Sequence, residues 1–132
     1  MENMIKVAVC GAHMQGLPLN PQLVALGGEF VLASSTSPDY QLFKLNGFTP
    51  ARPGLLRVIE HGHAIALEVW QLPIENYGKF VASVPNPLGF GTLMLVDGSQ
   101  VQGFLCEAYA TIDAINISHL GGWRAYLDTI RE

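Results

Sequence analysis

An α+β fold is predicted, with a small mixed or antiparallel β-barrel and flanking helices. Three observations predict it. Short β-branched segments outnumber helical ones, the two kinds do not alternate strictly, and Asp97-Gly98 joins two apolar runs as a hairpin. The 132 residues suit one domain spanning residues 1–132, with no repeat, linker or low-complexity tract.

Met4–Cys10 reads as a β-branched opening strand that stops at Gly11. Gly11–Asn20 has the Gly, Pro and Asn content of a loop. Asn20 is then placed to cap a short helix, Gln22–Leu26, with Pro21 in its first position and Gly27-Gly28 at its end. Phe30–Ala33 and Tyr40–Leu45 are strands separated by the turn-rich Ser34–Asp39, and Thr49–Gly54 is irregular. Leu56–Glu60 and Ala64–Leu72 are expected to pair, with His61-Gly62-His63 as the hairpin tip. Pro73 opens a helix over Ile74–Ser83 whose Ile74, Tyr77, Phe80 and Val81 share one face. Thr92–Val96 and Gln100–Cys106 flank Asp97-Gly98, read as a type I′ turn. Ser118 is expected to cap a last helix, His119–Ile130, striped by Leu120, Trp123, Tyr126, Leu127 and Ile130.

Composition narrows the function. A net charge of −4 leaves no basic stripe for phosphates, so nucleic acid is not an expected partner. The apolar runs Val7–Gly28 and Phe80–Val96 are broken by prolines and amides, which argues against a membrane span, and Glu2 spoils a basic leader. A cytoplasmic protein is expected. Hydrophobic residues reach 49% and charged residues 14%, which leaves apolar surface for a homodimer or for docking onto another protein. Cys10 and Cys106 sit inside apolar runs and read as buried small hydrophobes, or as a disulfide if two strands bring them together. No spacing suits a metal or a cofactor: His61 and His63 alternate without thiolates or paired carboxylates nearby, which favours a solvated turn. His119 reads as a surface residue.

The strongest chemical feature is Cys10-Gly11-Ala12-His13-Met14-Gln15-Gly16, directly after the opening strand. Small residues there let backbone N–H groups converge on an anion, and His13 can exchange a proton near neutral pH. The alternative is a tight turn with a surface histidine. A second feature, Pro85 to Thr92, fixes an unusual path with two prolines and two glycines before the Thr92 hydroxyl, or is a rigid connector. A third is Glu107, a carboxylate ending an apolar strand, suited to acid/base work or else a solvated strand end or a partner for Arg124.

Several blocks taken together resemble a known family. These are VAVCGAHMQGLPLN (7–20), VWQLP (69–73), FVASVPNPLGFGT (80–92), VQGFLCE (101–107) and ISHLGGWRAY (117–126). In this order they are similar to the C-terminal domain of allophanate hydrolase. The resemblance implies a gamma-glutamylcyclotransferase-like fold with an anion-receiving loop after the first strand. It also implies decarboxylation of a small N-carboxylated amide or urea derivative, with His13 as general acid. The anion would rest on Gly11, Ala12, Met14, Gln15 and Gly16, with Asn20, Pro87, Leu88, Gly89 and Thr92 completing the site. Cyclotransferases place a catalytic Glu on the segment after the Trp70 strand, whereas Lys79 to Pro85 holds no acidic residue here. Two other readings stand beside this one: a non-catalytic accessory or dimerisation module for a separate amidase, and a cyclotransferase-like enzyme using Glu107.

Overall fold

The computed structural model describes residues 3–131; Glu2, used above against a leader, lies outside them. The elements run β1 (Met4–Val9), α1 (Asn20–Ala25), β2 (Glu29–Ser35), β3 (Tyr40–Lys44), β4 (Pro53–Arg57), β5 (Ala66–Pro73) and α2 (Ile74–Ala82). They continue with β6 (Leu88–Met94), β7 (Gln100–Cys106), β8 (Ile115–Asn116) and α3 (Trp123–Ile130).

A mixed five-stranded sheet has the order β2-β5-β1-β7-β6. β1 runs antiparallel to β5, with Val7 opposite Trp70, and parallel to β7, with Val7 opposite Gln102. A smaller antiparallel sheet, β4-β3-β8, lies with β4 against β7. The class is α+β as expected, but the barrel does not close. Among the described residues, the outer strands β2 and β6 meet only at their C-terminal ends, around the isolated bridge Thr36–Leu95. The Val96 N–H donates to Ser35 C=O at 3.0 Å and the Ser37 N–H to Met94 C=O at 2.9 Å, so the two edges touch only at the last residue of each strand and just beyond it.

The expected hairpin through His61-Gly62-His63 is also corrected. β4 pairs with β3, Leu55 opposite Leu42, while β5 is taken on its two sides by β1 and β2. A strand as apolar as β5 belongs in a sheet centre with neighbours on both edges.

The Asp97-Gly98 hairpin does join β6 to β7, with Leu93 opposite Val101. Its turn is not type I′, because Asp97 keeps negative φ and only Gly98 is left-handed, at φ 87°. The Gly98 N–H donates to Leu95 C=O at 3.0 Å, so a type I turn closes on a left-handed glycine in a three-residue loop.

Two caps are likewise reassigned. Asn20 is the first residue of α1, and its amide turns back to donate to His13 C=O at 2.9 Å. Ser118 begins a 3₁₀ turn, Ser118–Leu120, and α3 starts only after Gly121-Gly122. The buried Ser118 hydroxyl accepts the Leu42 N–H at 2.8 Å and donates to Asn116 Oδ1 at 2.6 Å.

Helix faces are narrower than their periodicity suggests. Phe80 is fully buried under α2 and Tyr77 partly, while Ile74 and Val81 reach solvent; Trp123 anchors α3, with Ile130 exposed. Burying a ring such as that of Phe80 stabilises by roughly 1.5–3 kcal/mol. The main core gathers Val7, Leu42, Leu72, Phe80 and Trp123, and a smaller one gathers Phe43, Leu45, Leu88 and Cys106. Among the described residues no helix is long and apolar enough to cross a membrane.

Candidate functional site

The end of β1 delivers Cys10 into the core, and the chain then turns through Gly11 and Ala12 to His13. The imidazole faces inward and is only 3% exposed. It stands edge-on to Phe80, with ring centres 5.3 Å apart, and to Phe104 at 5.2 Å. Its Nε2 lies 3.3 Å from Gln22 Oε1, so a neutral ring donating there keeps Nδ1 as an acceptor. Burial pulls the His13 pKa down to about 4, against the Gln22 hydrogen bond and with help from the Arg52 charge. At neutral pH the ring is uncharged.

Beside it is a cavity of about 10 Å³, room for one water-sized group. Gly11, Ala12 and His13 form one wall, with Arg52, Pro53 and Leu88 facing them. Two of the loop N–H groups are already committed: Met14 donates to Gly11 C=O at 3.0 Å and Gln15 to Glu68 Oε1 at 2.8 Å. Among the described residues no hydrogen bond engages the N–H groups of Gly11, Ala12 and His13.

The remaining predicted residues are spread further apart. Met14 is buried behind the loop and Gly16 is exposed at its tip. Pro87, Leu88, Gly89 and Glu107 line a shallow neighbouring groove of about 310 Å³, so Leu88 is a wall common to cavity and groove. Glu107 is an exposed strand end; Arg124 pairs with Glu68 instead. Thr92 lies in a third depression with Lys6 and Gln100, its hydroxyl accepting from Gln102 at 3.0 Å, away from the His13 cavity. Among the described residues no group of His, Cys, Asp or Glu is placed to hold a metal. Burial pushes the Cys10 thiol up to about 12, and the free Cys106 thiol is raised by burial and then by the Glu107 charge. Neither is an activated nucleophile.

Three side chains that surround the His13 loop escape a reading of the sequence. Gln22 has no signal beyond its place in α1. Arg52 is one of only seven Lys and Arg residues and sits between Pro50 and Pro53, a placement that singles it out in retrospect. Glu68 is the lone charge in the run from Ile65 to Leu72. Burial raises its pKa, but the N–H groups of Gln15 and Trp70 and the Arg124 guanidinium together hold it below the usual carboxylate value.

The family model of the allophanate hydrolase C-terminal domain matches residues 5–128. A urea amidolyase of Saccharomyces cerevisiae is 40% identical over 132 residues, covering 97% of this chain and 7% of the relative. The chain thus spans under a tenth of the length of the curated relatives it matches. Among solved structures, allophanate hydrolase of Kluyveromyces lactis superposes with a TM-score of 0.93 at 38% identity, over 98% of this chain and 22% of that one. A protein specific to uropathogenic E. coli matches with a TM-score of 0.90 at 36% identity, over 98% of this chain and 99% of that one. A gamma-glutamyl cyclotransferase at 10% identity and a TM-score of 0.59, covering 86% of this chain and 70% of that one, shares the fold alone. With its loop, its sheet order and all five sequence blocks inside the matched region, the chain belongs to the allophanate hydrolase C-terminal domain family.

Proposed function

We propose that the cavity beside His13 receives the carboxylate of a small N-carboxylated amide or urea derivative and that the site promotes loss of CO2. The inward-facing imidazole, set among uncommitted loop N–H groups and a guanidinium, carries this reading. Gly11, Ala12 and His13 offer N–H donors to the carboxylate, and Arg52 offers charge. The cavity holds little more than one small group, so the rest of the substrate extends past Leu88 into the groove of Pro87, Gly89 and Glu107.

A neutral His13 is a poor acid until the anion arrives. A carboxylate close to the ring favours the imidazolium, so proton and substrate enter together. As the N–C bond breaks, its electron pair stays on nitrogen, which takes the proton from the imidazolium. Neutral amide, CO2 and neutral imidazole result. General acid catalysis of this kind contributes typically ~10²–10⁴-fold. The apolar rings of Phe80 and Phe104 favour the uncharged products.

The test is CO2 release from such a carboxylated amide, generated in place by a separate amidase and compared with the uncatalysed rate. Acceleration by the wild-type chain that disappears in His13→Ala, with the fold intact, supports the reading. Equal acceleration by His13→Ala overturns it.

One observation favours the docking-module reading. Phe30 and Leu32 are each 44% exposed on β2, an edge strand of the large sheet. Light scattering of the chain alone, and with a separate amidase, decides it: a homodimer or a stable complex lost in Leu32→Lys supports docking through this edge. The cyclotransferase reading depends on Glu107, which lines the groove and not the His13 cavity. Release of 5-oxoproline tests it.

A further inference from the structure

The loop that carries His13 is held at one peptide group by two charged side chains from distant parts of the chain. The Gln15 N–H donates to Glu68 Oε1 at 2.8 Å, and the Gln15 C=O accepts from Arg124 Nη2 at 2.7 Å. The same Nη2 reaches Glu68 Oε2 at 2.9 Å, and the Trp70 indole N–H donates to Oε1 at 3.0 Å. Both polar atoms of Gln15's backbone are therefore gripped by one ion pair, with Glu68 supplied by β5 and Arg124 by α3.

We propose that Glu68 and Arg124 are positioning residues for His13, forming a clamp that keeps the imidazole seated between Phe80 and Phe104. The importance of that seat rests on the functional reading of His13 given above; the clamp itself does not. Within the loop, Leu17 N–H bonds to Met14 C=O, Leu19 N–H to Ala12 C=O, and Asn20 to His13 C=O. These bonds tie the loop to itself and to the start of α1 without fastening it to the sheet. The clamp supplies that fastening two residues from the imidazole. The chemistry also exceeds what holding a loop requires, since neutral side chains can satisfy a peptide group. A carboxylate with a side chain only 10% exposed instead has both oxygens occupied.

The alternative is that the pair contributes stability alone, and the titration of His13 separates the two. Arg52 is the charged side chain bearing on the ring, alongside Gln22 and the neutral rings of Phe80 and Phe104. Glu68 and Arg124 do not act on it directly. Through space, loss of the Glu68 charge would lower the His13 pKa and loss of the Arg124 charge would raise it. A loosened loop admits water and raises it in both cases.

The experiment follows the His13 ring nitrogens by NMR across pH in the full chain as wild type, Glu68→Gln, Arg124→Ala and Arg124→Lys. The expected result is a midpoint that rises by about one unit or more toward the free-imidazole value in both Glu68→Gln and Arg124→Ala, with part of the rise reversed in Arg124→Lys. The Arg124 side chain is 49% exposed, so its truncation spares the core and keeps the test open if Glu68→Gln does not fold. An unchanged midpoint in folded Arg124→Ala, or shifts of opposite sign in the two variants, overturns the clamp. A midpoint raised in both variants leaves the clamp standing whatever CO2 release does, while equal release by His13→Ala overturns the functional reading alone.

Discussion

Pro53 lies against Gly11 so closely that a Cβ on the glycine would stand 2.5 Å from Pro53 Cδ and 2.7 Å from Cγ. The first turn of the site loop and the first residue of β4 are thus fitted to each other, and the cavity lies between them. Gly11→Ala forces the proline ring or the loop aside, an overpacking that costs about 1–3 kcal/mol. Thermal denaturation should show the lowered Tm, and any binding of small carboxylates should weaken in parallel.

Phe80 supports His13 from the α2 side and is fully buried. Phe80→Ala removes a core ring and leaves a void, at a cost of roughly 3–5 kcal/mol in chemical denaturation. It also lets water reach the imidazole, so the His13 pKa should move up from about 4 toward the free value, as an NMR titration would record.

The lowered His13 pKa makes stability depend on pH with a definite sign. The unfolded chain takes up a proton at the ordinary imidazole value near 6.5 and the folded chain only near 4, so the unfolded state binds more protons between them. This contribution is intact above the unfolded value and is lost as pH falls toward 4, amounting to about 3 kcal/mol in full. Glu68, held below the usual carboxylate range, extends the loss to lower pH. Denaturation midpoints measured from neutral pH to well below pH 4 should fall, and in His13→Asn the slope should flatten above pH 4 while the loss at lower pH persists.

Ser118 serves β3 and not a helix end. Ser118→Ala leaves the buried Leu42 N–H without its acceptor, which costs about 1–3 kcal/mol because water cannot replace the hydroxyl there. Comparing its denaturation midpoint with that of Ser37→Ala, a turn hydroxyl on Asp39, checks the difference.

Local rules carried the sequence a long way. β1, α2 and the β6–β7 hairpin follow from β-branched runs, proline punctuation and one Asp-Gly pair, each acting within a few residues. The candidate loop is legible for the same reason, because Gly11, Ala12 and His13 are contiguous. What escaped was pairing at a distance. β4 turns back to β3 where the neighbouring sequence offers β5 as an equally apolar partner. Glu68 and Arg124 are separated by 56 positions, and nothing in either neighbourhood announces the other. Arg52 reaches the cavity only because β4 folds against the first turn. Ser118 looked like a cap because it precedes a helical stripe, yet Gly121-Gly122 breaks the backbone before that stripe begins.

Leu88 belongs at once to the smaller core, to the wall of the His13 cavity and to the floor of the outer groove. It has no idle face. Repacking beneath β3, at Phe43 or Leu45, therefore shifts a wall that the cavity beside the imidazole and the outer groove have in common, although neither substituted residue lines them.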